Sequence, residues 1–183
     1  MEKDRKEALK WYKKASSQGN SKAQYNLGLM YYRGAGVQKN RLEAVRWLKK
    51  AASQGNAKAQ YSLAGEYEKG ENVKKDINKA IALYKKAASQ GHVTSQFTLG
   101  LIYGAGLEID KNSKEAIKWY SKAAAQDHEK SQEKLNSYKK IKSLKKQSAQ
   151  LDKEDCTHCG DSHYPYDISR GTQQWRNNDK KGL

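Results

Sequence analysis

Proline is almost missing from this chain of 183 residues; the one example is Pro165, near the C-terminus. Nothing before it is forced out of a helix by a fixed φ or a lost N–H. Cysteine is scarce too. Cys156 and Cys159 both lie late in the chain, so no disulfide framework supports what precedes them, which favours a reducing compartment. No apolar run is long enough to cross a bilayer, and the opening Met-Glu-Lys-Asp-Arg-Lys-Glu lacks the apolar core of a signal peptide. Hydrophobic residues make up 36% of the chain against 31% charged. A single compact core needs more apolar content. An elongated array needs less, because each unit buries only the faces it shares with its neighbours.

Negative charge is also in short supply, with 20 Asp and Glu against 36 Lys and Arg and a net charge of +16. Residues 1–126 hold 24 of the basic residues and 11 of the acidic ones, so the excess does not sit in a detachable tail. Such a surface favours acidic partners, nucleic acid or anionic lipid by long-range attraction. The plainer reading is that lysine-rich helices keep a protein soluble.

What is present in abundance is a period. Ala8, Ala44, Ala80 and Ala116 recur every 36 residues without an insertion, as do Ala15, Ala51, Ala87 and Ala123. Trp11, Trp47, Leu83 and Trp119 keep the same step, and so do Tyr12, Leu48, Tyr84 and Tyr120. A second set comprises Tyr25, Tyr61 and Phe97; Leu27, Leu63, Leu99 and Leu135; Gly28, Ala64 and Gly100; and Tyr31, Tyr67 and Tyr103. Within each set the spacing of three and four residues puts the apolar positions on one helix face.

Caps and stops frame these helices. Asp4-x-x-Glu7, Asn40-x-x-Glu43 and Asn112-x-x-Glu115 read as capping boxes at helix starts, and Asp76 followed by Lys79 keeps half of the motif. Gln18-Gly19, Gln54-Gly55 and Gln90-Gly91 read as stops, where glycine adopts the left-handed conformation. Asn20, Asn56, His92 and His128 open the following helices, which end at Gly34-Ala-Gly36, Gly70 and Gly104-Ala-Gly106. The prediction is an all-α chain of antiparallel helix pairs that must stack, an α-solenoid.

The stretch Ala23-x-x-x-Leu27-Gly28-x-x-Tyr31-x-x-Gly34-x-Gly36-Val37-x-x-Asn40-x-x-x-Ala44-x-x-Trp47-x-x-x-Ala51-Ala52-x-x-Gly55 resembles the Sel1-like repeat (SLR), a relative of the tetratricopeptide repeat. Three units resemble it, about 22–56, 58–92 and 94–128 within residues 21–128, with a half repeat at 1–20. The resemblance implies a right-handed superhelix of the tetratricopeptide type and a scaffold or adaptor role, often in bacteria. A cytoplasmic location is the default expectation. Trp11 and Tyr12 have no preceding helix to cover them, which raises the expectation of further repeats upstream. At the other end Glu133, Asn136 and Lys139 replace the aromatic, the small residue and the tyrosine, so residues 129–152 are expected to cap the array. Ile141, Leu144 and Leu151 would supply a thin capping stripe.

The same resemblance implies which helices line the concave groove: those at 21–33, 57–69 and 93–104, and the one from 129 onward. Its inward positions are Lys22, Tyr25, Leu29, Tyr32 and Arg33 in the first unit, Lys58, Tyr61, Glu68 and Lys69 in the second, and Thr94, Phe97 and Leu101 in the third. Tyrosine and arginine often anchor interfaces. Tyr25, Tyr61 and Phe97 repeat strictly and read equally well as packing between helix pairs. Leu29, Tyr32 and Leu101 stand at positions that do not keep one residue type through all three units, and they are the better candidates for specificity. Lys13, Lys14, Lys49, Lys50, Lys85, Lys86, Lys118 and Lys122 fall on the other helix layer, where a solvated face is the default.

Residues 153–183 read as an unstructured polar tail carrying Cys156-Thr-His158-Cys159-Gly-Asp-Ser-His163. Two thiolates and a histidine at this spacing could hold zinc with His158 or another fourth ligand, but structural zinc sites usually show two complete ligand pairs. A reversible disulfide is the other chemical option, and no cofactor is expected. Some disulfide-rich relatives in the family are linked to β-lactam binding. This chain has no repeat cysteines and no Ser-x-x-Lys motif with its partner elements, and its histidines and acids form no catalytic set. The expected function is a non-catalytic scaffold that binds a protein or peptide in its groove. The alternative is a basic surface that binds nucleic acid or anionic lipid.

Overall fold

The computed structural model describes residues 2–106 and 111–158, with side chains over 4–106 and 111–150. Eight helices follow in order: α1 (Glu2–Ser17), α2 (Ser21–Arg33), α3 (Arg41–Ser53), α4 (Ala57–Lys69), α5 (Ile77–Ser89), α6 (Val93–Ala105), α7 (Ser113–Ala124) and α8 (Glu129–His158). No strand occurs among the described residues. Each helix of residues 1–124 packs on the next in sequence, giving an all-α solenoid. The chain divides into two compact units, residues 1–139 and 140–183.

The starts and stops repeat as the spacing predicts, with instructive exceptions. Asn20 and Asn56 accept the backbone N–H of Ala23 and Ala59, each at 3.0 Å. Asn40 and Asn112 do the same for Glu43 and Glu115 at 2.9 and 3.1 Å. The glutamates pair instead with Arg46 and Lys118, so each is a single cap with an ion pair beside it. In the third copy Asp76 accepts from the Lys79 N–H while the Lys79 ammonium reaches back to the same carboxylate at 2.9 Å. Those two hydrogen bonds, backbone first, hold the Asp76 carboxyl below its usual range. Asp4 is not the N-cap expected of it: α1 already begins at Glu2, which places Asp4 within the first turn, where a negative charge also suits the helix dipole.

Gly19, Gly55 and Gly91 take φ of 86°, 85° and 84° at the stops, and Asp127 holds the fourth copy of that position at φ 60°. The other helix of each pair ends at Gly34, Gly70 and Gly106. Gly104 lies inside α6, where the left-handed residue two positions on does the stopping. The connections are closed by one recurring bond, from the N–H of Asn40, Asp76 and Asn112 to the carbonyl of Tyr31, Tyr67 and Tyr103, each at 2.9 Å.

Small residues let the helices approach. Ala44, Ala51, Ala80, Ala87, Ala116 and Ala123 are fully buried, as are Leu27 and Leu99. A β-carbon at Gly100 would sit 2.5–2.9 Å from the ring of Tyr120, itself buried between Phe97 and Tyr138. Burial, and then the neighbouring Tyr138, push the Tyr120 hydroxyl up to about 12. Running through this core is a polar ladder. Gln24, Gln60 and Gln96 are buried, and their amides donate to the carbonyls of Ser16, Ala52 and Ala88 at 3.3, 3.2 and 3.0 Å. Their oxygens accept from Gln54, Gln90 and Gln126 at 2.7, 2.9 and 2.9 Å.

Helix α8 runs to His158, past residue 152 where the apolar pattern gives out. Ser131 is fully buried, but Ile141 and Leu144 are exposed, 52% and 54%, so they do not form the expected capping stripe. Lysines at 139, 140, 142, 145 and 146 surround them and leave too little apolar surface for a buried face. The side chain of Leu151 lies outside the described residues.

Gly100→Ala should destabilise the fold by about 1–3 kcal/mol through overpacking against Tyr120, although alanine is the better helix former. Gly65→Ala, whose new methyl would meet nothing nearer than the Tyr84 hydroxyl at 3.8 Å, should stabilise by about 0.5–1 kcal/mol. Urea denaturation of the two variants checks this; shifts of the same sign would contradict the packing described.

Candidate functional site

At two positions, 65 and 66, the second unit departs from an apolar pair that the other two share. At the end of α4 the residues Gly65, Glu66 and Glu68 stand where α2 has Leu29, Met30 and Tyr32, and where α6 has Leu101, Ile102 and Gly104. The missing side chain at Gly65 opens a cleft of about 370 Å³, lined by Leu29 and Tyr32 from α2, Tyr61, Ser62, Glu66, Glu68 and Lys69 from α4, and Leu48, Tyr84 and Thr98 from the adjoining helices.

Its walls are held in place. The Tyr84 hydroxyl donates to Glu68 Oε2 at 2.6 Å, and burial followed by that carboxylate pushes the hydroxyl well above the ordinary tyrosine range. Tyr61 packs against Tyr84 at 5.6 Å between ring centroids and against His92 at 5.0 Å. The Arg41 guanidinium lies 5.2 Å from the Tyr32 ring and pairs with Glu71 at 2.7 Å. Glu66 is 7% exposed, and its Oε2 accepts from Asn72 Nδ2 at 2.7 Å. A buried carboxylate at a position filled by Met30 and Ile102 in the neighbouring units costs stability unless its acceptors are used.

Of the residues expected to line a groove, Leu29, Tyr32, Tyr61, Glu68 and Lys69 thus meet in one place. Lys22, Tyr25 and Lys58 line a second, more polar cleft of about 450 Å³ with Asn26, Gln54, Asn56 and Gln90. Arg33, Thr94, Phe97 and Leu101 line neither. Arg33 and Thr94 are exposed, Leu101 is 39% exposed, and Phe97 packs on Tyr120 and His128. Gly65, Glu66, Ser62, Leu48, Tyr84 and Thr98 were not anticipated. The departures at 65 and 66 from their columns are the signal that finds the cleft; position 68 offers none, since its counterparts Tyr32 and Gly104 already differ.

On the odd-numbered helices the lysine column rests on its own aromatic neighbours. Lys50 lies 4.3 Å from the Trp47 ring centroid, Lys122 and Lys118 lie 4.8 and 5.9 Å from Trp119, and Lys14 lies 5.8 Å from Trp11. Lys85 stands 5.5 Å from Tyr103. Trp11 is 63% exposed, and with Lys6, Glu7, Lys10 and Lys14 it lines a cleft of about 440 Å³.

The described residues include no group of three or more His, Cys, Asp or Glu side chains that could hold a metal. Cys156 and His158 fall in the last turn of α8 by backbone, with their side chains outside the described residues. Cys159 and His163 lie outside them altogether. No described helix is long and apolar enough to cross a membrane.

The Sel1 repeat family matches residues 1–20, 21–56, 57–92 and 93–128. The chain belongs to the Sel1 repeat family. Among solved structures it is similar to a Sel1 repeat protein from Oxalobacter formigenes, with 38% identity and a TM-score of 0.70 over 74% of this chain and 55% of that one. It is also similar to c5321, a protective antigen of uropathogenic Escherichia coli with an SLR fold, at 33% identity and TM-score 0.67, over 73% of this chain and 29% of that one. Helicobacter pylori cysteine rich protein B matches at 28% identity and TM-score 0.56, over 72% and 94%. The chain thus spans about half of the first of these proteins and less than a third of the second. A search of curated proteins returned no match.

Two of these Sel1 repeats open a helix with histidine in place of asparagine. His92 Nδ1 accepts from the Ser95 N–H at 3.3 Å and lies 2.9 Å from its hydroxyl, while the ring packs on the cleft residue Tyr61. Burial, and then the charge of Lys58, hold the imidazole below its ordinary value of 6.5. The unfolded chain therefore takes up the proton first, and the stability tied to neutral His92 is complete above pH 6.5 and is lost as pH falls below it. His92→Asn keeps a capping side chain without a titrating one. Unfolding free energies measured at pH 7.5 and 5.5 should fall less for the variant than for the parent; equal losses would contradict this role.

Proposed function

We propose that this Sel1 repeat protein is a non-catalytic interaction scaffold that seats a peptide or protein segment in the cleft of its second unit. Sel1 repeat proteins are generally protein-interaction scaffolds. The observation that carries the reading to a particular site is the convergence of Leu29, Tyr32, Tyr61, Glu68 and Lys69 around the space left by Gly65. An apolar floor with a few fixed polar groups at the rim is what short-segment recognition requires: the apolar part supplies affinity and the polar part supplies register. The hydroxyl of Tyr84 and the carboxylate of Glu66 are already engaged, so these walls lose little further freedom when a ligand arrives.

The lysine column favours a second reading, a surface for nucleic acid or anionic lipid. Its lysines recur at the same positions of successive units, and Lys14, Lys50 and Lys122 lie 5.8, 4.3 and 4.8 Å from an aromatic ring centroid. One experiment separates the two. Proteins retained by the immobilised chain are identified at moderate salt and compared with those retained by the double variant Leu29→Ala/Tyr32→Ala. Loss of these anchors should weaken partner capture about tenfold or more with helicity unchanged. Capture that ignores the double variant and collapses between low and moderate salt would reject the cleft in favour of the basic face.

A further inference from the structure

We propose that the cleft of the second unit takes a cationic side chain, lysine or arginine, from its peptide partner, and that Gly65, Glu66 and Glu68 are what select it. This deepens the reading above and rests on it.

The net charge of +16 points the other way, toward an acidic ligand, so the local chemistry has to decide. Two carboxylates, Glu66 and Glu68, line the cleft against one ammonium, Lys69. The lysine column lies on the other helices and lines none of it. At physiological ionic strength charge–charge interactions fade over about 8 Å, so the groups that line the seat weigh most. Both carboxylates keep acceptor capacity. Asn72 and Tyr84 each engage one oxygen, and a carboxylate offers about four lone-pair sites.

The walls suit a cation as well. Tyr32, Tyr61 and Tyr84 bring three aromatic rings to one cleft, and ring faces attract ammonium and guanidinium groups. The structure contains an instance of this recognition, since Arg41 rests against Tyr32 at 5.2 Å while its charge is matched by Glu71. The arrangement belongs to one unit. Leu101 refills the space at the next position along the column, and Gly104 removes the carboxylate there. A buried glutamate where the flanking units bury Met30 and pack Ile102 is a departure that packing alone does not favour, and a positive ligand would stabilise it.

The test uses random dodecapeptides displayed on phage, selected on the full chain at physiological salt and counter-selected on Gly65→Leu. The leucine restores the residue of the flanking units in a position open to it, and a urea titration confirms that the variant folds. The expected result is a family of peptides with a lysine or arginine beside an apolar residue. Their binding should be lost on Gly65→Leu and fall about 10- to 100-fold on Glu68→Gln, or when the basic residue is replaced by norleucine. Peptides that depend on Gly65 but carry an acidic or wholly apolar anchor would overturn the cationic specificity and leave the cleft reading standing. So would peptides indifferent to Glu68→Gln. Peptides that bind Gly65→Leu as well as the parent, or no enriched family at all, would overturn both.

Discussion

Gln24, Gln60 and Gln96 are buried amides, and each must find both an acceptor and a donor within the protein. Each finds the acceptor at the end of the preceding helix, in the carbonyl of Ser16, Ala52 or Ala88. The donor is the side chain that follows the next helix, Gln54, Gln90 or Gln126. Three consecutive helices are therefore fixed in register by one side chain, and a slip of either neighbour would leave a buried polar group unpaired at a cost of about 1–3 kcal/mol. Hydrophobic packing between alanine-rich faces is nearly non-directional and would tolerate such a slip. The ladder does not, and the capping asparagines, the tyrosine carbonyl bonds and the aromatic contacts all repeat within the register it sets.

Against that regularity the second unit stands out. Gly65 gives up helix propensity and a packed side chain, and Glu66 buries a carboxylate where the flanking units have Met30 and Ile102. Both contribute to a cleft that combines leucine, tyrosine and carboxylate, and Tyr84 is tied to it through Glu68. In a repeat protein, function is expected where a column is broken at the expense of stability, because an unbroken column is explained by stacking alone.

Much of this fold is legible in the sequence, since a period of 36 residues with caps and left-handed glycines in fixed places admits few other structures. The turns at Gly19, Gly55 and Gly91 and the caps at Asn20, Asn56 and His92 follow from residue type. Asp4 misleads because an acidic residue suits the interior of a first turn as well as a cap. The ladder was present in the columns at 24, 60 and 96, yet a glutamine in a polar sequence gives no sign that it is buried. Of the twelve residues that the resemblance assigns to a groove, five line one cleft. Gly65 and Glu66 are legible only as departures from their columns, because a period displays what the units share and not where one of them differs.

The central claim is that this site exists because the second unit departs from its neighbours. The most direct measurement compares the parent with Gly65→Leu/Glu66→Met, which restores the residues at the same positions in the first unit, for stability in urea and for capture of partner. The account predicts an unfolding free energy higher by about 1–4 kcal/mol, as apolar replacement of a buried charge allows, together with loss of capture. A less stable variant, or one that still captures its partner at the parent level, would contradict it.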